Sequence, residues 1–205
     1  MQKEQLGNRD SSETLWNLND GESLQLVHLN DDRIEIDAAV AELLKTRDRT
    51  VAICSIVGKY RSGKSFLLNK LINARPRKGF SISSSNNACT RGLWIWSKPL
   101  VLEKQNLEIF FMDTEGLDSP THKIEVDLKL FALAVMISSY FIFNSIGDFD
   151  EHSIESLSII TQIINNVVVS EDAALDQCQA LHQLSQFAPV FLWALRDTRT
   201  EPVDA

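Results

Sequence analysis

The sequence predicts an α/β fold, a doubly wound and mostly parallel sheet with helices on both faces, and three observations predict it. The run V-A-I-C-S-I-V at 51–57 is apolar nearly throughout, the pattern of a strand covered on both faces. Two further apolar runs, Ile109 to Met112 and Val190 to Leu195, each end in a carboxylate, Asp113 directly and Asp197 after Arg196. Between these runs apolar residues recur at three and four positions, so strands alternate with helices. At 205 residues the chain is long enough for one domain with a substantial core.

Taken in order, residues 1–22 form a polar N-terminal arm in which only Leu15, Trp16 and Leu18 are suited to packing, and the domain proper is expected over 23–205. Leu24 to His28 and Arg33 to Ile36 read as two short strands about the turn N-D-D, with Asp37 as the cap of a helix through Lys45. The core strand 51–57 follows, then a glycine-bearing loop and a helix that runs to Arg75-Pro76, where proline stops it. Residues 79–91, G-F-S-I-S-S-S-N-N-A-C-T-R, are too rich in Ser and Asn to pack; they suit either a mobile switch or an ordinary surface loop. Leu93 to Trp96 and Leu107 to Met112 read as an antiparallel hairpin joined through V-L-E-K-Q-N-L-E. A helix over 123–137 leads into a strand over 140–144, and helices over 151–168 and 173–187 present apolar stripes to the sheet.

Composition excludes several classes. A formal net charge of −8 argues against a broad nucleic-acid surface, which takes a basic stripe. Cys54, Cys89 and Cys178 are odd in number and show no C-x-x-C spacing, so neither disulfides nor a zinc site is indicated, and a reducing, cytoplasmic setting is expected. The polar start M-Q-K-E-Q-L-G-N-R-D predicts no signal peptide, and the end E-P-V-D-A predicts no prenyl anchor. The apolar stretch Leu130 to Ile146 is shorter than a membrane span and carries Ser138, Ser139, Asn144 and Ser145, so it reads as a buried helix end running into a central strand.

The loop itself, G-K-Y-R-S-G-K-S at 58–65, fits the phosphate-binding form G-x-x-x-x-G-K-S and has the strand and helix flanks which that form requires. Glycines let the backbone curl until several N–H groups aim at one phosphate, and the following helix adds its positive end. Candidate nucleotide contacts are therefore Gly58, Lys59, Tyr60, Arg61, Ser62, Gly63, Lys64, Ser65 and the adjoining Phe66, with Lys64 placed for the outer phosphates. Ser65 offers a hydroxyl to Mg²⁺, and Asp113, at the carboxyl edge of the sheet, offers to hold a Mg²⁺-bound water. Gly116, in the T-E-G that follows, suits backbone approach to a terminal phosphate. Asp197 can accept from both N–H donors on guanine's Watson–Crick edge, whereas adenine would leave it unpaired; it is equally the kind of residue that simply starts a loop.

The set G-K-Y-R-S-G-K-S, C-T-R-G-L-W-I-W, D-T-E-G-L, F-A-L-A-V-M-I-S-S-Y-F-I-F-N-S-I-G and L-W-A-L-R-D, in this order, closely resembles the large GTPase domain of the guanylate-binding proteins, over about residues 45–198. Among dynamin-like relatives the atlastins are the nearest rival. The resemblance implies a P-loop nucleoside-triphosphatase fold with a Ras-like core, cut short after the R-D strand, and GTP as substrate with Mg²⁺. It implies that Thr90 is the switch threonine, that Glu115 and Gly116 belong to the second switch, and that Arg196-Asp197 replaces the usual guanine-reading motif. It also implies that Arg61, otherwise readable as a solvated loop arginine, is an internal arginine finger that acts when two domains meet through their nucleotide faces. Catalytic roles would then fall to Arg61, Lys64, Thr90 and Glu115, and metal contacts to Ser65, Thr90 and, through water, Asp113. Vertebrate members carry a serine two residues before the switch threonine where this chain has Ala88, so binding is implied more directly than hydrolysis, and a second step to GMP least of all. Other readings are a nucleotide-gated self-assembly module with little turnover, an atlastin-like membrane-remodelling GTPase, and an ATP-using enzyme resting on the loop alone.

Overall fold

The computed structural model describes residues 18, 20–30, 33–75, 78–82, 92–114, 124–147, 158 and 188–197. They form an eight-stranded mixed sheet. In chain order the elements are β1 (Ser23–Asn30), β2 (Arg33–Ile36), α1 (Ala38–Lys45), β3 (Thr50–Val57), α2 (Lys64–Leu71), β4 (Leu93–Trp96), β5 (Leu100–Leu102), β6 (Leu107–Thr114), α3 (Ile124–Ile137), β7 (Tyr140–Ile146) and β8 (Val190–Arg196). The strands lie in the order β2-β1-β4-β6-β3-β7-β8, with β5 beside β6.

The centre, β6-β3-β7-β8, is parallel, and the wing of β2, β1, β4 and β5 is antiparallel. Register decides where the site falls. Ile56 sits opposite Asp113 on one side and Ile142 on the other, so the loop leaving β3 emerges between the ends of β6 and β7. Ile146 pairs with Arg196, which carries the β8 end to the same edge.

Alternation along these strands sorts the core into two layers. Val57, Phe110, Met112, Phe141 and Phe143 face one way, under Leu130, Phe131, Ala134 and Val135 of α3 and Val40 of α1. Phe131 meets Phe141 edge-on at 5.7 Å. Cys54, Ile56, Phe111 and Ile142 face the other way, under Leu68 of α2 and Ile72 just after it, with Phe80, Trp96 and Leu18 alongside. Helices therefore cover both faces, as the near-continuous apolar strands require, and each large side chain so buried contributes about 1.5–3 kcal/mol.

Local chemistry explains the element ends. Asp37 is extended and accepts a hydrogen bond from Val40 N–H at 3.0 Å, capping α1 as its sequence position predicts. Helix α2 stops at Leu71, short of the Arg75-Pro76 stop read from the sequence, because Asn73 turns left-handed at φ 52° and ends the ladder first. The predicted hairpin forms, but Val101 and Leu102 belong to β5, and the reversal is confined to Glu103–Asn106, with Asn106 left-handed. The apolar stretch from Leu130 to Ile146 divides between α3 and β7, and among the described residues no helix is long and apolar enough to cross a membrane. Of the N-terminal arm, Leu18 is buried and its carbonyl accepts from the Trp96 indole at 2.8 Å. The helices expected over 151–168 and 173–187, Ser158 apart, and the Ser/Asn-rich stretch 83–91 lie outside the described residues.

Candidate functional site

The site is built at the carboxyl edge of β3, where the chain reverses from strand to helix through 58–63. Gly58 has φ 152°, and a Cβ there would stand 2.1 Å from the Asn144 carbonyl oxygen, so no larger residue fits against β7. Gly63, at φ 83°, caps α2 in the left-handed region with the Arg196 guanidinium laid against it; a Cβ would meet Nη1 at 3.0 Å. Arg61 also holds a left-handed conformation, φ 62°, without the freedom glycine has. Exposed Arg61 stands next to buried Ser62.

Lys64 opens α2 and is buried to 6 %, its ammonium donating to the Lys59 carbonyl at 3.0 Å across the loop. Burying an ammonium is costly unless it is paired, so the loop holds this charge at the helix's positive end for an anion to share. Ser65 donates its hydroxyl to Asp113 Oδ2 at 2.6 Å, joining the first turn of α2 to the end of β6. Asp113 is fully buried, and Thr114 beside it donates to the Ile56 carbonyl at 2.8 Å, which holds β6 against β3 at the loop's root. Phe66 is half exposed, with the Lys70 ammonium 5.6 Å from its ring centroid.

Ser65 and Asp113 together supply hard oxygen donors of the kind Mg²⁺ prefers, at the mouth of a phosphate loop, so the residues fit that ion when phosphate completes its shell. Among the described residues no group of three or more His, Cys, Asp or Glu could hold a metal by itself.

On the other side of the loop, β8 delivers Arg196 and Asp197. Asp197 is exposed and left-handed at φ 55°, directly after the strand. The structure thus brings together Gly58, Lys59, Tyr60, Arg61, Ser62, Gly63, Lys64, Ser65, Phe66, Asp113, Arg196 and Asp197 at one sheet edge. Thr90, Glu115 and Gly116 lie outside the described residues, as does Ala88.

One participant escaped the sequence reading. Asn144, two residues before the end of β7, is fully buried and donates from Nδ2 to the Ser62 carbonyl at 2.8 Å and to Ser62 Oγ at 3.1 Å. The available signal was a lone amide closing the apolar run Y-F-I-F in a parallel sheet, at the edge where ligands bind. Charge around the loop is locally basic, from Lys59, Arg61, Lys64 and Arg196, in a chain whose formal net charge is −8.

Known proteins resemble this chain over most of its length. The family model described as "Guanylate-binding protein, N-terminal domain" matches residues 31–201. Guanylate-binding protein 4 of Homo sapiens is 32 % identical over 177 residues, covering 86 % of this chain and 27 % of that protein. Guanylate-binding protein 1 of Mus musculus is 34 % identical over 179 residues, covering 86 % of this chain and 30 % of that protein. Guanylate-binding protein 2 of Mus musculus is 33 % identical over 181 residues, covering 88 % and 30 % respectively. The chain spans less than a third of the length of these relatives.

Proposed function

Since the chain belongs to the guanylate-binding protein family, we propose that it binds GTP and GDP on the 58–65 loop and hydrolyses GTP with Mg²⁺. The observation that carries this reading is the Ser65–Asp113 contact beside buried Lys64, since it supplies a cation's oxygen donors and a phosphate's counter-charge within one turn of helix. The Lys64 ammonium, which here donates to the Lys59 carbonyl, would serve the outer phosphates, and the Ser65 hydroxyl, which here donates to Asp113, would be a ligand to Mg²⁺. Bound there, Mg²⁺ would neutralise phosphate charge, and Asp113 would help hold it through water. Catalysis of this kind is mainly positioning and charge stabilisation, which the loop backbone, Lys64 and Arg61 supply. Thr90 would contribute to holding Mg²⁺ and the terminal phosphate, and Glu115 and Gly116 would contribute from the second switch. Arg196 and Asp197 read the base.

We place the protein in the cytoplasm and couple its activity to a homodimer formed through the nucleotide faces. The direct test is to incubate purified protein with Mg²⁺ and either GTP or ATP and to separate the products chromatographically. GDP formed over many turnovers from GTP, with ATP left intact, is the expected result. Stoichiometric GTP binding without multiple turnover would favour a nucleotide-gated assembly module, and equal use of ATP would overturn guanine specificity.

A further inference from the structure

The loop is gripped from a strand that does not lead into it. Asn144 touches it twice. Its backbone carbonyl fills the space a Cβ on Gly58 would need, 2.1 Å away, and its side-chain amide donates to the Ser62 carbonyl at 2.8 Å and to Ser62 Oγ at 3.1 Å. The first and fifth residues of the loop are thereby tied to one residue of β7.

Such a bond is needed because a curled loop aims its N–H groups inward and turns its carbonyls outward, where buried ones must find a donor. Ser62 is buried, so water does not supply that donor, and the Asn144 amide does. The amide's own Oδ1 has no hydrogen-bond partner among the described residues, a cost that an apolar side chain would avoid. An amide kept at that cost is there for its donors. Alanine faces Asn144 in the register of β8, leaving the amide no competing polar partner at that position.

We propose that Asn144 is a positioning residue for the phosphate loop, holding the backbone at Ser62 so that the loop's N–H groups converge on the outer phosphates of the nucleotide. It touches no reacting atom and acts through Ser62 and Gly58. The inference rests on the nucleotide-binding reading above and adds a residue to that site.

The test compares GTP, GDP and GMP, because GMP lacks the outer phosphates the loop cradles while keeping the base. In the full chain, Asn144→Leu preserves the branching at Cγ, removes both donors and adds no charge. It should weaken GTP and GDP by about tenfold or more, the size expected when a buried carbonyl loses its donor, and change GMP by less than about threefold. If leucine fails to fold, Asn144→Ala carries the same comparison. An equal loss for all three nucleotides would mark a merely structural role and overturn the proposal. Unchanged GTP affinity in a folded variant would overturn it too. Failure of the unmodified protein to bind GTP would instead sink the nucleotide-binding reading, so the two failures are distinguishable.

Discussion

At the scale of single residues, the strongest statements concern groups whose chemistry is fixed by their surroundings. Asp197 is left-handed and exposed just beyond β8, and asparagine tolerates that backbone as readily as aspartate. Asp197→Asn therefore changes the acceptor pattern and leaves the chain path alone. We expect the unmodified protein to prefer GTP over ATP by about a hundredfold or more, and the variant to lose most of that preference, as read by competition binding. Lys64→Ala removes the buried ammonium at the start of α2, and GTP binding should disappear with it. Cys54 shows a different dependence on environment. Burial between sheet and helix pushes its thiol up to about 11 from 9.0, so the folded state holds the proton more tightly than the unfolded chain. Stability from this group is thus complete below about pH 9 and is lost as pH rises from about 9 to about 11. Cys54→Ala should flatten that part of the stability profile, and urea titrations of both proteins across the window measure the difference.

At the scale of elements, the sequence was legible wherever the cause was local. Asp37 was readable as a cap because an N-cap needs only a short acceptor ahead of an apolar-periodic stretch, and α1 starts where that rule puts it. The Val40 N–H, more than the neighbouring His28, holds the Asp37 carboxyl below its ordinary value. The phosphate loop was readable for the same reason, since its glycines and lysine act within eight residues. What stayed hidden needed strands far apart in sequence to lie side by side. Asn144 looked like a strand end until the β3–β7 register set it under Ser62. Arg196 was paired by sequence with Asp197, and only the fold lays its guanidinium against Gly63. Asn69 belongs with these. Its side-chain amide donates to the Phe80 carbonyl at 2.9 Å and accepts from the Phe80 N–H at 2.7 Å, which fastens 78–82 to α2. Asn69→Ala breaks both bonds, for a loss of about 1–3 kcal/mol. Amide exchange should quicken over 78–82 while β3 and β6 keep their protection; uniform quickening would show that the bonds serve the whole fold instead.

At the scale of the whole molecule, a formal net charge of −8 surrounds a basic nucleotide edge, and the contrast has consequences for association. Two empty copies brought face to face would set Lys59, Arg61, Lys64 and Arg196 against their counterparts, and like charges at close range repel. In the proposed homodimer, GTP would bring several negative charges to each face and remove that repulsion, so association should depend on nucleotide. Arg61 is the residue most exposed to this change. It is solvent-exposed, it precedes the buried part of the loop, and its left-handed backbone costs about 1–2 kcal/mol that a glycine would avoid. Strained backbone of this kind clusters at functional sites, which supports the finger role proposed for Arg61. Arginines in that role elsewhere contribute roughly 10³ to 10⁵ in rate. On the proposal that a second copy completes Arg61, specific GTPase activity should rise with protein concentration, and Arg61→Ala should lower turnover by more than about tenfold while GTP affinity stays within a few-fold. Light scattering alongside the assay should show larger species with GTP than without nucleotide. Activity independent of concentration, together with normal turnover in Arg61→Ala, would assign the left-handed arginine to loop structure alone.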